Sequence, residues 1–184
     1  MNMTLEALAL QGRTQVYDSM ASNIGERVFE IRKESVKESL SDFKNIEHRL
    51  EFVANIHGIE FINDSRATNV NAAWFALESM HRPVIWIAGG MNRVNDYSLL
   101  FDPVKQKVKA IIFLGNDTRE VARSFEGFVN QIFHTSYMDE AVDIAYSMGK
   151  KGDIVLLSPA CPSFDLFENY EERGELFRNA VKSL

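Results

Sequence analysis

Three stretches of the chain place polar residues, most of them of anion-binding type, after apolar runs. Asp64, Ser65, Arg66 and Thr68 follow Ile59-Glu60-Phe61-Ile62; Gly89, Gly90 and Arg93 follow Val84 to Ala88; Ser158, Ser163 and Tyr170 follow Ile154 to Leu157. Hydroxyl side chains, backbone N–H groups at a helix start and an arginine fork all donate to carboxylates or phosphates. Strand-to-helix junctions of open α/β sheets are where such ligands sit. The chemistry within reach is the binding and positioning of anions. Each residue also has a plainer reading. Asp64, Ser65 and Thr68 are competent caps for a first helical turn, Ser163 is a competent N-cap, and paired glycines occur in many βα loops. Metal and nucleophile chemistry have less support. No His, Cys or carboxylate pair has metal-ligand spacing, Cys161 has no activating His beside it, and His134 stands apart from any carboxylate partner in the sequence.

These junctions need a scaffold, and the hydrophobic pattern supplies one. Val84 to Ala88, Ala110 to Leu114, Gln131 to His134 and Asp153 to Leu157 read as strands. Between them, Val70 to Met80, Leu99 to Lys107, Thr118 to Phe125 and Met138 to Met148 read as helices, the last closed by Gly149. Strands joined by helices demand parallel pairing. His48 to Val53 alternates as a strand, Asn55 to Gly58 turns, and Ile59 to Ile62 returns, so a hairpin precedes the alternation. The expected class is α/β, a Rossmann-like, mostly parallel sheet flanked by helices and opened by a β-hairpin. Ser163 is expected to start a long amphipathic helix, with Tyr170 about two turns further on the same face. Residues 1–46 read differently. One strand, Leu5 to Leu10, and two helical stretches, Thr14 to Ile31 and Lys33 to Phe43, cannot close a core of their own. A boundary is therefore expected between them and a second unit, 47–184.

Composition narrows the class further. With 46% hydrophobic residues and 13 Phe in 184 residues, there is material for a packed core, which argues against disorder. The net charge of −6, from 20 Lys plus Arg against 26 Asp plus Glu, gives no sign of nucleic-acid binding. The single Cys161 excludes an internal disulfide framework and fits a reducing compartment. With neither a signal-peptide pattern nor an apolar run near the ~20 residues a span requires, a cytoplasmic location without membrane contact is expected.

The wording of two junctions is more specific than their chemistry. SPACPSFDLFENYEERGELF, residues 158–177, resembles the signature near the carboxyl end of Mur ligases, in the D-glutamate-adding branch of that family. Phe61-Ile-Asn-Asp-Ser-Arg-Ala-Thr-Asn-Val70 resembles a second block of the same branch, in the right order. The resemblance implies that residues 1–46 are a remnant of a central ATP-binding domain and that 47–184 are the carboxyl-terminal domain. The P-loop pattern GxxGK[ST] is absent from the chain, so the chain is expected to be the last part of a larger enzyme. That enzyme would use ATP and magnesium to activate the carboxylate of UDP-N-acetylmuramoyl-L-alanine for attack by the amine of D-glutamate. The fragment alone, without its amino-terminal and central domains, would be inactive and retain neither cofactor. The resemblance assigns Thr68, Arg93, Ser163 and Tyr170 to D-glutamate, and Arg49, Asp64, Arg66 and Asp18 to the nucleotide and its phosphates. Arg66 and Arg93 stand where the family has lysines, and Gly12 to Asp18 departs from the family's GRHN pattern. Three other readings stay open: a folylpolyglutamate-type sibling ligase, a diverged Mur-like domain, and a non-catalytic ligand-binding module.

Overall fold

The computed structural model describes residues 47–89 and 96–184, and within them six strands form one sheet. In chain order the elements are β1 (Glu51–Ile56), β2 (Ile59–Asn63), α1 (Val70–Ser79), β3 (Val84–Gly89), α2 (Ser98–Lys107), β4 (Val108–Leu114), α3 (Arg119–Arg123), β5 (Ile132–Thr135), α4 (Met138–Met148), β6 (Ile154–Leu157) and α5 (Tyr170–Lys182). The sheet order is β1-β2-β6-β3-β4-β5. β1 runs antiparallel to β2, and every other neighbouring pair is parallel. This is the α/β class that the alternation of strands and helices implies. The expected remnant, residues 1–46, lies outside the described residues.

Strand period explains how the sheet is covered on both faces. Every residue of β3 is buried, as a central parallel strand between helical layers requires. Its alternate residues divide between two cores: Val84, Trp86 and Ala88 meet Leu77 of α1, Leu100 and Val104 of α2 and Phe125. Ile85 and Ile87 meet Met138, Ala141 and Val142 of α4 and Phe177 and Val181 of α5. Burying each such aliphatic or aromatic side chain stabilises the fold by about 1.5 to 3 kcal/mol. On the first face, Phe125 takes the rings of Trp86, Tyr97 and Phe101 on its edges, with centroids 5.6 to 5.9 Å apart.

Several boundaries differ from the sequence reading, each for a local reason. β1 starts at Glu51 instead of His48, because His48 and Leu50 have φ of 61° and 44°, which a strand excludes. The first helix is capped by Asn69, whose side chain accepts from the Ala72 N–H at 2.9 Å, and not by Asp64, Ser65 or Thr68. Ser163 is not an N-cap either. α5 begins seven residues later at Tyr170, behind an Asn169 side chain that accepts from the Glu172 N–H at 2.7 Å. Ser163 and Tyr170 therefore do not share a helical face. Pro103 sits inside α2 rather than near its start. The stretch expected as a helix to Phe125 is helical only over Arg119–Arg123.

Candidate functional site

β2 and β6 are parallel neighbours, so the loops after Asn63 and Leu157 leave the same edge of the sheet side by side. They are stitched to it and to each other. The Asp64 N–H donates to Leu157 O at 2.8 Å, the Gly89 N–H to Pro159 O at 2.7 Å, and the Trp86 indole N–H to Ser158 O at 2.7 Å. The strand end at Gly89 lies so close to the loop that a Cβ there would stand 2.1 Å from Cys161 Sγ. Glycine is required by this approach, whatever the loop binds.

Arg173, which is almost wholly buried, joins the two loops. Its Nε donates to Ser65 Oγ at 3.0 Å and its Nη2 to Ser65 O at 2.8 Å, while Nη1 donates to the carbonyls of Cys161 and Pro162 at 3.2 and 3.3 Å. The Ser65 hydroxyl in turn donates to Tyr170 O at 2.7 Å. Burial lowers the guanidinium's pKa from its ordinary value, and Cys161, Asp165 and Asp64 act against that. A planar five-donor fork satisfies several carbonyls at fixed angles, which an ammonium cannot. Sequence reasoning gave Arg173 no role. A signal existed: Arg173 falls in phase with Phe177, Ala180 and Val181 on the buried stripe of α5, and an arginine on an apolar stripe needs a polar partner inside.

The segment just before β1 is held by the same loop. Asp64, also buried, accepts from the Leu50 N–H at 3.2 Å through Oδ1 and from the Ser158 hydroxyl at 2.9 Å through Oδ2. Its pKa is raised to about 7, first by burial, with the Ser158 and Leu50 bonds and the charges of Arg49 and Arg173 opposing. The Arg66 N–H donates to His48 O at 3.1 Å. The amide of Asn63 reaches His48 Nδ1 at 3.0 Å and donates to Gly174 O at 3.1 Å. Beside this brace lies an open cleft lined by Arg49, Leu50, Asp64, Arg66, Ala67, Ala72 and Phe75. The exposed Arg66 side chain extends over the Tyr170 ring, Cζ 5.7 Å from the centroid.

Of the expected site residues, Arg49, Asp64 and Arg66 meet at the cleft. Tyr170 meets Arg66, and Thr68, half-buried, stands two residues further along the same loop. Ser163 is buried on the neighbouring loop, its carbonyl accepting from the N–H groups of Leu166 and Phe167. Asp18 and Arg93 lie outside the described residues. Two arginines at one cleft suit an anion with several oxygens, whereas both oxygens of Asp64 are already engaged. Among the described residues no group of three His, Cys, Asp or Glu could hold a metal ion, and no helix is long and apolar enough to cross a membrane.

Residues 48–161 match the family model described as Mur ligase, glutamate ligase domain. Among curated proteins, the UDP-N-acetylmuramoylalanine–D-glutamate ligase of Porphyromonas gingivalis is 48% identical over 182 residues, covering 99% of this chain and 40% of that protein. The protein of the same name from Bacteroides thetaiotaomicron is 45% identical over 184 residues, covering 100% of this chain and 41% of its own length. The chain thus spans about two fifths of these relatives. Among solved structures, a bifunctional folylpolyglutamate synthase/dihydrofolate synthase from Yersinia pestis, complexed with AMPPNP and Mn ion, aligns with a TM-score of 0.52 at 15% identity, over 76% of this chain and 32% of that one. A UDP-N-acetylmuramate-alanine ligase from Thermotoga maritima aligns with a TM-score of 0.51 at 12% identity, over 79% and 32%. These two share the fold.

Proposed function

The chain belongs to the Mur ligase family, as its carboxyl-terminal glutamate ligase domain, and we propose that it is the amino-acid-supplying part of a ligase that adds D-glutamate to UDP-N-acetylmuramoyl-L-alanine. The observation that carries this reading is the meeting of Arg49, Arg66 and Asp64 at one cleft beside the loop that holds Thr68. The relatives' printed name supplies the substrate class. A cytoplasmic setting and partnership with amino-terminal and central domains belong to the same proposal.

The residues divide the work as follows. Arg49 and Arg66 hold the phosphates of ATP, whose chemistry in the whole ligase is to activate the acceptor carboxylate. Thr68, Ser163, Arg93 and Tyr170 hold D-glutamate with its amine toward that carboxylate, and Asp18 serves the nucleotide side. Asp64 acts through its neighbours: it fixes the Leu50 amide and the Ser158 hydroxyl, so that both loops keep one geometry. Catalysis of this kind is positioning and charge neutralisation rather than covalent chemistry. Magnesium is assigned no ligand among the described residues.

Phosphate release by a whole ligase carrying this chain tests the reading. Release should require UDP-N-acetylmuramoyl-L-alanine, ATP and D-glutamate together, with L-glutamate failing as replacement. Release with a folate and L-glutamate, and none with the muramoyl substrate, would assign the chain to the folylpolyglutamate type. The 184-residue chain alone should release no phosphate.

A further inference from the structure

Arg66 stands between two sites. Its backbone is fixed, the N–H donating to His48 O at 3.1 Å and the carbonyl accepting from the Thr68 N–H at 2.9 Å. Its exposed side chain is not fixed in this way. It lines the cleft that also holds Arg49, and its guanidinium carbon lies 5.7 Å from the centroid of the Tyr170 ring. Tyr170 is itself anchored by its carbonyl, which accepts from Ser65 Oγ at 2.7 Å. The face of its ring is what it offers to Arg66. A cation over an exposed ring face is held weakly, whereas phosphate oxygens take an arginine fork through two charge-assisted hydrogen bonds. Cleft and ring therefore compete for one guanidinium.

Resting on the reading of the cleft as a phosphate site, we propose that Arg66 is a two-position residue: over Tyr170 when the cleft is empty, on the phosphates when it is filled. Filling the cleft would uncover the Tyr170 ring face for the chain of the amino-acid substrate. Only the side chain of Arg66 has to move. A lysine at this position would contact the ring as a compact point charge without a flat face to lay on it, so the device depends on the arginine of the Arg66–Tyr170 pair.

Competition makes a prediction that a simple contact does not: removing the ring should tighten phosphate binding. Pyrophosphate is titrated into the whole ligase carrying this chain by calorimetry, with the Arg66 side-chain resonances followed by NMR. Tyr170→Leu should bind about threefold tighter than wild type, since an exposed cation–π contact alters an equilibrium by a factor of roughly 2 to 5. Tyr170→Phe, which keeps the ring, should bind as wild type does. In wild type the Arg66 resonances should leave their ring-shifted positions as pyrophosphate saturates. Unchanged or weaker binding by Tyr170→Leu, with Arg49→Ala still weakening it, would overturn the two-position proposal and leave the phosphate cleft standing. Failure of wild type to bind pyrophosphate at all would overturn both.

Discussion

Arg173 holds both the hydroxyl and the carbonyl of Ser65 at once: Nε donates to the hydroxyl at 3.0 Å and Nη2 to the carbonyl at 2.8 Å. The other terminal nitrogen spends itself on Cys161 and Pro162 across the gap. One buried side chain therefore sets the separation of the two loops that bear Thr68 and Ser163. A site that positions rather than reacts depends on such supports, because an error of an ångström in placement costs far more rate than stability.

Arg173→Ala should be strongly destabilising. It empties a buried volume and leaves the carbonyls of Ser65, Cys161 and Pro162 without their donor, so a loss of about 3 to 5 kcal/mol is expected. Arg173→Lys should recover only part of this, since an ammonium cannot span the same acceptors. Urea midpoints measure both, and a wild-type midpoint for Arg173→Ala would remove the clamp from the account.

Gly174→Ala sets two effects against each other. In a helix interior the change usually stabilises by about 1 kcal/mol, yet here the new Cβ would lie 2.2 Å from His48 Nδ1. His48 is buried and bonded to Asn63, so it cannot yield without loss. Overpacking of this kind costs about 1 to 3 kcal/mol, and net destabilisation is expected. The double variant Gly174→Ala, His48→Ala should be less damaged than the sum of the single changes. Additive losses would show that the clash is relieved elsewhere.

In the whole ligase, Arg49→Ala and Thr68→Ala should separate the two ligands kinetically. Arg49→Ala should raise the KM for ATP by about tenfold or more, the loss of one charge-assisted contact. Thr68→Ala should do the same to the KM for D-glutamate and leave that for ATP near its original value. A rise in the same KM for both variants would contradict the division of roles.

Much of the fold was legible because it rests on period and alternation. The β3 run from Val84 and helix α4, Met138–Met148 with Gly149 behind it, are long enough for local pattern to decide. The expected site was legible in part, through wording: the blocks around Asp64 and Ser158 do lie on adjacent loops. What failed were choices among similar residues. Ser163, Asn169, Thr68 and Asn69 are all competent caps by chemistry. Only tertiary placement makes Asn69 and Asn169 the caps and leaves Ser163 buried in a turn. Arg173 is not legible because charge in a helix rich in Glu and Arg reads as solvated surface, and the Ser65 that takes two of its bonds stands 108 residues away in sequence.

Asp64 makes stability depend on pH in a way that a surface carboxylate would not. Its pKa is raised to about 7 in the fold, burial being the first cause, against about 3.9 in an unfolded chain. The folded state therefore holds this proton more tightly than the unfolded state. The resulting stabilisation is full below the unfolded value and disappears as pH rises through the folded one, between about pH 4 and pH 7. The whole difference is on the order of 4 kcal/mol. In Asp64→Asn the group no longer titrates, while its side-chain oxygen still accepts from the Leu50 N–H. Urea midpoints of wild type and Asp64→Asn, compared from pH 4 to pH 8, should diverge: wild type loses stability relative to the variant as pH rises, and the gap stops changing above about pH 8. Other groups titrate alike in both proteins and cancel in the difference. Parallel profiles would mean that Arg49, Arg173 and the Ser158 bond offset burial and keep Asp64 ionised throughout. A gap that opened in the opposite direction would mean that they depress its pKa.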